Sequence, residues 1–176
     1  MFLGLDLSLT ESGLVIIDKD YKIITATTLS VPQKGIERLS HLETLFLEAL
    51  GELPIDLCCI ESPAFKAEGH LFNIGELNGI LKLNLYKKGI QFITAAPMQL
   101  KKYVTGTGKG NKSAIILDVY KNFKEEIRND NIADAYVLSR IARDFYIKPT
   151  NLYKYQTDVL KKLLKANEDE QKGHLL

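Results

Sequence analysis

Three acidic residues lie where a carboxylate is costly to bury unless it is paired or binds a metal ion. Asp6 interrupts the apolar segment FLGLDLSL, Glu61 ends the apolar segment IDLCCIE, and Asp134 is flanked by Ala133 and Ala135. Each acid alone is equally consistent with a structural role. Together they could hold two hard divalent cations about 4 Å apart, which activate water and stabilise the leaving oxygen of a phosphodiester. The acids therefore indicate metal-dependent phosphodiester hydrolysis.

The residues around these acids indicate which metal ion they would bind. Asn131 precedes Asp134 by three residues, so the two share a helical face, and Asp130 is one residue earlier. The three acids are oxygen ligands, and no histidine stands beside them in sequence. Oxygen ligands without nitrogen or sulfur favour Mg²⁺ over zinc.

An α/β domain with a mixed sheet must position these residues. Three apolar segments joined by tight turns predict an antiparallel meander, and the apolar segment bounded by prolines predicts a buried central strand. Helical spacing of apolar residues predicts the remaining elements. The predicted strands are 2–8, 14–18, 21–31, 55–61 and 90–94, and the predicted helices are 34–50, 68–87, 97–104, 112–123, 131–146 and 153–166, with Ile116, Val119, Tyr120 and Phe123 facing inward.

The composition is that of one globular domain. The chain has 176 residues, of which 45% are hydrophobic and 26% charged. No apolar segment reaches the roughly 18 residues that span a bilayer, and the N-terminus lacks the basic start of a signal peptide. Cys58 and Cys59 are adjacent in a strand, so they point to opposite faces and predict no disulfide. We expect a cytoplasmic protein without membrane contact.

The positive charge is concentrated in one segment. Residues 81–112 contain seven lysines and no acidic residue, although the net charge of the chain is only +1. Such a local excess is typical of a surface that binds phosphates, and chance clustering on a solvated surface is the alternative.

Four segments carry a family resemblance: FLGLDLSLTESGLVIID, CCIESPAF, PMQLKKYVTGTGKGNKSAI and NDNIADAYVLSRIA. In this order and at this spacing they resemble the RuvC family of Holliday junction resolvases, over about residues 2–146. The third segment is the most specific, with Lys101, Gly106, Gly108 and Lys112 at the family's positions.

The resemblance implies an RNase H-like (ribonuclease H/retroviral-integrase) fold, an α/β architecture with a mixed five-stranded sheet flanked by helices. Residues 1–149 would form the nuclease domain, followed by a C-terminal helix and polar tail at 150–176. The implied activity is Mg²⁺-dependent cleavage of four-way DNA junctions by paired symmetric cuts in recombination and repair. Two Mg²⁺ ions are implied, with Mn²⁺ able to substitute, and a homodimer is implied. Whether a branch-migration helicase is a partner stays open.

The resemblance also implies roles for individual residues. Asp6, Glu61 and Asp134 would be catalytic metal ligands. The family usually has an aspartate where this chain has Asn131, so the fourth ligand stays open between Asn131 and Asp130. Lys112 would lie nearest the scissile phosphate. The implied DNA contacts are Phe65, Lys101, Lys102, Gly106, Gly108, Lys109 and Lys112.

Several alternatives stay open from the sequence. The chain could be an RNase H-like nuclease acting on RNA, a YqgF-like processing protein, or a DNA-binding module that has lost its metal site. An actin-like ATPase or sugar kinase is excluded, because those folds need two such domains. Phe65 could be a core residue. Gly75 and Gly79 mark either a dimer face or ordinary packing of their helix on the sheet.

Overall fold

A computed structural model of the chain describes the backbone of residues 1–62, 71–108 and 112–173, with all side chains in these ranges except 71, 112–114 and 168–173. Within these ranges the strands are β1 (Phe2–Asp6), β2 (Ser12–Ile17), β3 (Ile23–Leu29), β4 (Leu57–Glu61) and β5 (Gln91–Ala95). The helices are α1 (Gly35–Leu50), α2 (Leu71–Lys87), α3 (Pro97–Thr105), α4 (Lys112–Phe123), α5 (Asp130–Ile147) and α6 (Lys154–Gly173).

The five strands form one sheet in the order β3-β2-β1-β4-β5. The β1–β2 and β2–β3 pairs are antiparallel, whereas β1–β4 and β4–β5 are parallel. This arrangement confirms the predicted mixed five-stranded sheet. Because β1 and β4 are parallel neighbours, Asp6 and Glu61 at their carboxyl ends lie on the same edge of the sheet.

A hydrophobic core lies on each face of the sheet. One core packs α3, α4, α5 and α6 against the sheet, and the other packs α1 and α2 against its opposite face. Strand alternation places Cys59 in the first core and Cys58 in the second. Both cysteines are buried and free, as predicted.

Helix α5 lies directly on β1 and β2, because two glycines leave room for its backbone. A Cβ atom on Gly4 would lie 1.9 Å from the carbonyl oxygen of Ala135. A Cβ atom on Gly13 would lie 2.0 Å from the carbonyl oxygen of Asn131. No side chain fits at either position unless the helix moves away from the sheet.

A buried carboxylate joins the other end of α5 to its neighbours. The Asp144 side chain is fully buried and accepts hydrogen bonds from Tyr21, Tyr103 and Arg143. Burial, followed by the hydrogen bond to Asp144, raises the pKa of Tyr21 to about 12. These contacts tie the β2–β3 turn and α3 to α5.

Two helices differ from their predicted form. Tyr120 was predicted to face inward, but its side chain is 54% exposed. Val119 is buried, and Ile116 and Phe123 pack against the core, as predicted. Ile115 is buried with Val119, since residues four apart share a helical face, whereas Tyr120 is turned by about 100° from Val119. Helix α6 continues to Gly173, beyond the predicted end at 166.

Among the described residues, no helix is both long enough and apolar enough to span a membrane.

We expect Gly4→Ala to lower the free energy of unfolding by at least about 2 kcal/mol, because the added methyl group meets backbone atoms that cannot rotate away. The measurement is urea unfolding at a fixed protein concentration. Gly75→Ala is the matched control: no described atom lies within 4 Å of its added methyl group, so alanine should stabilise α2 by up to about 1 kcal/mol. An unfolding midpoint of Gly4→Ala equal to that of the wild type would contradict the close approach of α5.

Candidate active site

The predicted acids meet at one edge of the sheet. Asp6 ends β1 and is 7% exposed, Glu61 ends β4, and Asp134 lies in the first turns of α5 and is 9% exposed. Glu61 shares a hydrogen bond with Asp6 and interacts electrostatically with Asp134. The structure therefore brings together three side chains that are far apart in sequence. We call Asp6, Glu61 and Asp134 the carboxylate cluster.

The cluster raises the pKa of Glu61 well above its ordinary value. Burial is the largest cause, followed by the hydrogen bond to Asp6 and repulsion from the charges of Asp6 and Asp134. The positive charge of Lys101 acts in the opposite direction and lowers the pKa of Glu61, so the ammonium group lies near the cluster. Three acids in such proximity favour either a retained proton or a bound cation.

The start of α5 brings further oxygen and nitrogen atoms near this edge. Asn129 caps the helix, since its side-chain oxygen accepts from the backbone N–H of Ile132 at 3.0 Å. Asn131 lies over Gly13, whose strand partner is Asp6, so the amide residue is a neighbour of the cluster. Asp130 is the first residue of α5 and its side chain is half-buried.

The sequence analysis missed Glu11. Its Oε2 accepts a hydrogen bond from Asn131 Nδ2 at 2.8 Å and one from Asn129 Nδ2 at 3.3 Å. The signal was an acid in the turn just before β2. An antiparallel hairpin returns such a residue to the edge where β1 ends.

Residues 2–141 match the family model described as "Crossover junction endodeoxyribonuclease RuvC". The chain belongs to the RuvC family. A RuvC of Halothermothrix orenii is 24% identical over 147 residues, which cover 79% of this chain and 89% of that protein. A RuvC of Thermotoga maritima is 31% identical over 106 residues, which cover 58% of this chain and 63% of that protein.

Solved structures agree on the fold. Thermus thermophilus RuvC in complex with a Holliday junction substrate aligns with a TM-score of 0.66 and 24% identity, over 78% of this chain and 88% of that chain. Fowlpox virus resolvase in complex with Holliday junction DNA aligns with a TM-score of 0.52 and 18% identity, over 80% and 96% of the two chains. These similarities confirm the RNase H-like fold.

RuvC proteins are metal-dependent nucleases, and the donor set of this chain fits a divalent cation. The carboxylate cluster offers only oxygen ligands, and its mutual repulsion is relieved when a cation replaces the proton. Within the described ranges, no three acidic, histidine or cysteine side chains already converge on one point as metal ligands. In the cation-free cluster, Glu61 shares a hydrogen bond with Asp6 and interacts electrostatically with Asp134.

Of the lysines predicted to contact DNA, the structure describes the side chains of Lys101 and Lys102. The positive charge of Lys101 interacts with Glu61 of the carboxylate cluster. Lys102 on the same helix instead lies 3.9 Å from Asp158 of α6, so part of its charge is balanced within the protein. Lys112 begins α4, and its side chain is not among those described. Phe65 and Lys109 lie outside the described residues.

The two predicted glycines have structural reasons for lacking a side chain. Gly106 ends α3 with φ at +77°, the left-handed conformation that glycine adopts readily. A Cβ atom on Gly106 would lie 3.5 Å from the Tyr155 ring of α6. A Cβ atom on Gly108 would lie 2.7 Å from Met98 Cγ. Gly106 and Gly108 are therefore packed closely against α6 and the start of α3, respectively.

The raised pKa of Glu61 predicts how stability depends on pH. A carboxyl group whose pKa is higher in the folded state stabilises fully below its unfolded pKa and loses that effect as pH rises through the folded pKa. We expect the melting temperature of cation-free protein to fall as pH rises above the ordinary value of 4.5, and more steeply in the wild type than in Glu61→Gln. Thermal unfolding across a pH series measures both.

A saturating divalent cation should reverse this fall in the wild type, because it replaces the proton. Parallel curves for the wild type and Glu61→Gln over the whole series would remove Glu61 as the titrating group.

Proposed function

We propose that this protein cuts four-way DNA junctions by paired, symmetric, Mg²⁺-dependent phosphodiester hydrolysis during recombination and repair. The observation that carries the proposal is the carboxylate cluster, three acids from β1, β4 and α5 that meet at one edge, where Glu61 shares a hydrogen bond with Asp6. Membership of the RuvC family supports hydrolysis of DNA as the reaction. Similarity to proteins solved with Holliday junction DNA supports the four-way junction as the substrate.

Two Mg²⁺ ions would be held by Asp6, Glu61 and Asp134, with Asn131 or Asp130 as the fourth ligand. When bound, the ions would activate the attacking water and stabilise the leaving oxygen, and Mn²⁺ would substitute for them. The carboxylates of the cluster lie together at the end of the sheet, where Asp6 and Asp134 are shielded from solvent.

The basic residues would hold the DNA. Lys101 is suited to attract a phosphate toward the cluster, since its charge already acts on Glu61. We assign Lys112 to the scissile phosphate, where a cation stabilises developing negative charge. Lys102, Gly106, Gly108 and Lys109 would contact the backbone, and Phe65 would stack on an unpaired base.

A homodimer would supply the second cut. Helix α2 buries Leu77, Leu81 and Leu85, whereas its opposite face is exposed and largely apolar. Residues of that face recur three or four positions apart, as on one side of a helix: Phe72, Gly75, Gly79, Leu83 and Tyr86. No described atom lies within 4 Å of a Cβ atom built on either glycine, so these glycines are not needed for packing on the sheet.

We propose that this α2 face binds the same face of a second copy. The two-fold axis would match the symmetry of a four-way junction. Residues 1–149 would form the nuclease domain, and α6 in the 150–176 segment would support α3. The free, buried cysteines support a reducing, cytoplasmic location.

We expect Asp6→Asn, Glu61→Gln and Asp134→Asn each to lower the rate of junction cleavage by at least about 100-fold, because the stabilising charge of the cations is lost. Junction binding should persist or strengthen, since repulsion between carboxylates and phosphates is reduced. The assay compares a four-way junction, a linear duplex and an RNA–DNA hybrid, each with and without Mg²⁺.

Asp20→Asn, in the exposed β2–β3 turn, is the matched control and should cleave like the wild type. Wild-type turnover by Asp6→Asn in Mg²⁺ would contradict the assignment. Preference for the RNA–DNA hybrid would favour an RNA-directed nuclease instead.

We expect Gly79→Arg to prevent dimerisation, because a long charged side chain is placed in the middle of the exposed apolar face of α2. On a cruciform plasmid the variant should accumulate nicked product in place of linear product. Sedimentation equilibrium measures the association, and Lys88→Arg, beyond the end of α2, is the control. A wild-type protein that is monomeric on the junction and still gives paired cuts would refute the dimer.

A further inference from the structure

The carboxylate of Glu11 and the amide of Asn131 form a fixed pair beside the carboxylate cluster. Glu11 Oε2 accepts from Asn131 Nδ2 at 2.8 Å, across 120 positions of sequence. The turn that carries Glu11 is closed by Ser12, whose hydroxyl donates to the Ser8 carbonyl at 2.9 Å and accepts from the Ser8 N–H at 3.0 Å. Ser12 is 1% exposed, so this closure is shielded from water. Glu11 is therefore held by a constrained hairpin.

The pair fixes which way the Asn131 amide is turned. A carboxylate oxygen can only accept a hydrogen bond, so the atom that faces Glu11 must be the Nδ2 donor. The Oδ1 atom, on the other branch of the amide, is then directed away from Glu11 and stays available as an oxygen ligand. Without Glu11 the amide could turn over and present a donor, which repels a cation.

The pair also supplies charge. Asn131 contributes a neutral oxygen, whereas an aspartate at this position would contribute a negative charge. The carboxylate of Glu11 accepts a hydrogen bond from that amide. A negative charge therefore lies beside residue 131, although it is carried by a residue of the β1–β2 turn.

We propose that Glu11 is a positioning residue for the metal site: it orients Asn131 so that Oδ1 binds the cation, and its carboxylate supplies the charge that the amide lacks. This inference rests on the proposed function and favours Asn131 over Asp130 as the fourth ligand. Residues that orient metal ligands typically change metal affinity by about 10–100-fold when they are removed. The alternative is a purely structural role, in which Glu11 only joins the β1–β2 turn to the start of α5.

The experiment compares a reciprocal exchange with its two single changes. Glu11→Gln removes the charge, and Asn131→Asp places two carboxylates 2.8 Å apart where a hydrogen bond had been. The double variant Glu11→Gln/Asn131→Asp restores both the charge and the bond, with donor and acceptor exchanged. Calorimetric titration of the DNA-free protein with Mn²⁺ alone measures the affinity, and cation-free thermal unfolding and junction cleavage are recorded in parallel.

We expect Glu11→Gln to weaken Mn²⁺ binding by about tenfold and Glu11→Ala by up to about 100-fold. Asn131→Asp alone should lower the cation-free melting temperature, and the double variant should recover both stability and Mn²⁺ affinity. Asn129→Ser is the structural control. It keeps a helix-capping oxygen but removes the 3.3 Å contact with Glu11, so its Mn²⁺ affinity should equal that of the wild type.

The outcomes separate this inference from the proposed function. Wild-type Mn²⁺ affinity in both Glu11 variants would overturn the inference and leave the function standing. A melting-temperature loss in Glu11→Gln without any change in Mn²⁺ affinity would assign Glu11 a structural role. A wild-type protein that neither binds Mn²⁺ nor cleaves the junction would overturn both.

Discussion

The close approach of α5 to β1 and β2 is the constraint on which the site depends. At Gly4 and Gly13 the helix backbone occupies the space that a side chain would need. This contact carries Asp134 and Asn131 to the edge where β1 and β4 end. Any movement of α5 outward would separate Asp134 from Asp6 and Glu61. The geometry of the carboxylate cluster therefore depends on how closely α5 packs on the sheet.

Burial of the three acids and repulsion between their charges oppose folding. Desolvation, the hydrogen bond to Asp6 and the mutual repulsion of the acids raise the pKa of Glu61, so ionisation of Glu61 is disfavoured in the cation-free protein. Lys101 partly offsets the repulsion. Buried carboxylates that repel each other are typical of sites where a bound cation neutralises their charge. Binding of the cation therefore stabilises the fold.

The distant end of α5 is anchored by contacts of the opposite character. Asp144 is buried with three hydrogen-bond donors around it, and Arg140 lies 3.9 Å from the centroid of the Tyr21 ring and 3.7 Å from that of Phe123. Hydrogen bonds and cation–π contacts of this kind hold neighbouring elements in one arrangement. Helix α6 adds to the anchoring through Gln156, which donates to the Tyr103 carbonyl. A rigid end of α5 thus supports the end that carries the site.

The sequence by itself determined most of the strands and helices from apolar periodicity and the three acids from residue type, because both are local properties. The order of these elements predicted the mixed sheet, and the order and spacing of four segments indicated the family. It did not reveal that Lys102 lies near Asp158 rather than standing free, or that Tyr120 faces solvent. Nor did it reveal the contact between Glu11 and Asn131. That contact joins a hairpin turn to a helix 120 positions away, and only the packing of α5 on Gly13 brings the two together. Hydrogen bonds between distant elements depend on where backbones meet, and that is decided when the sheet and its helices pack.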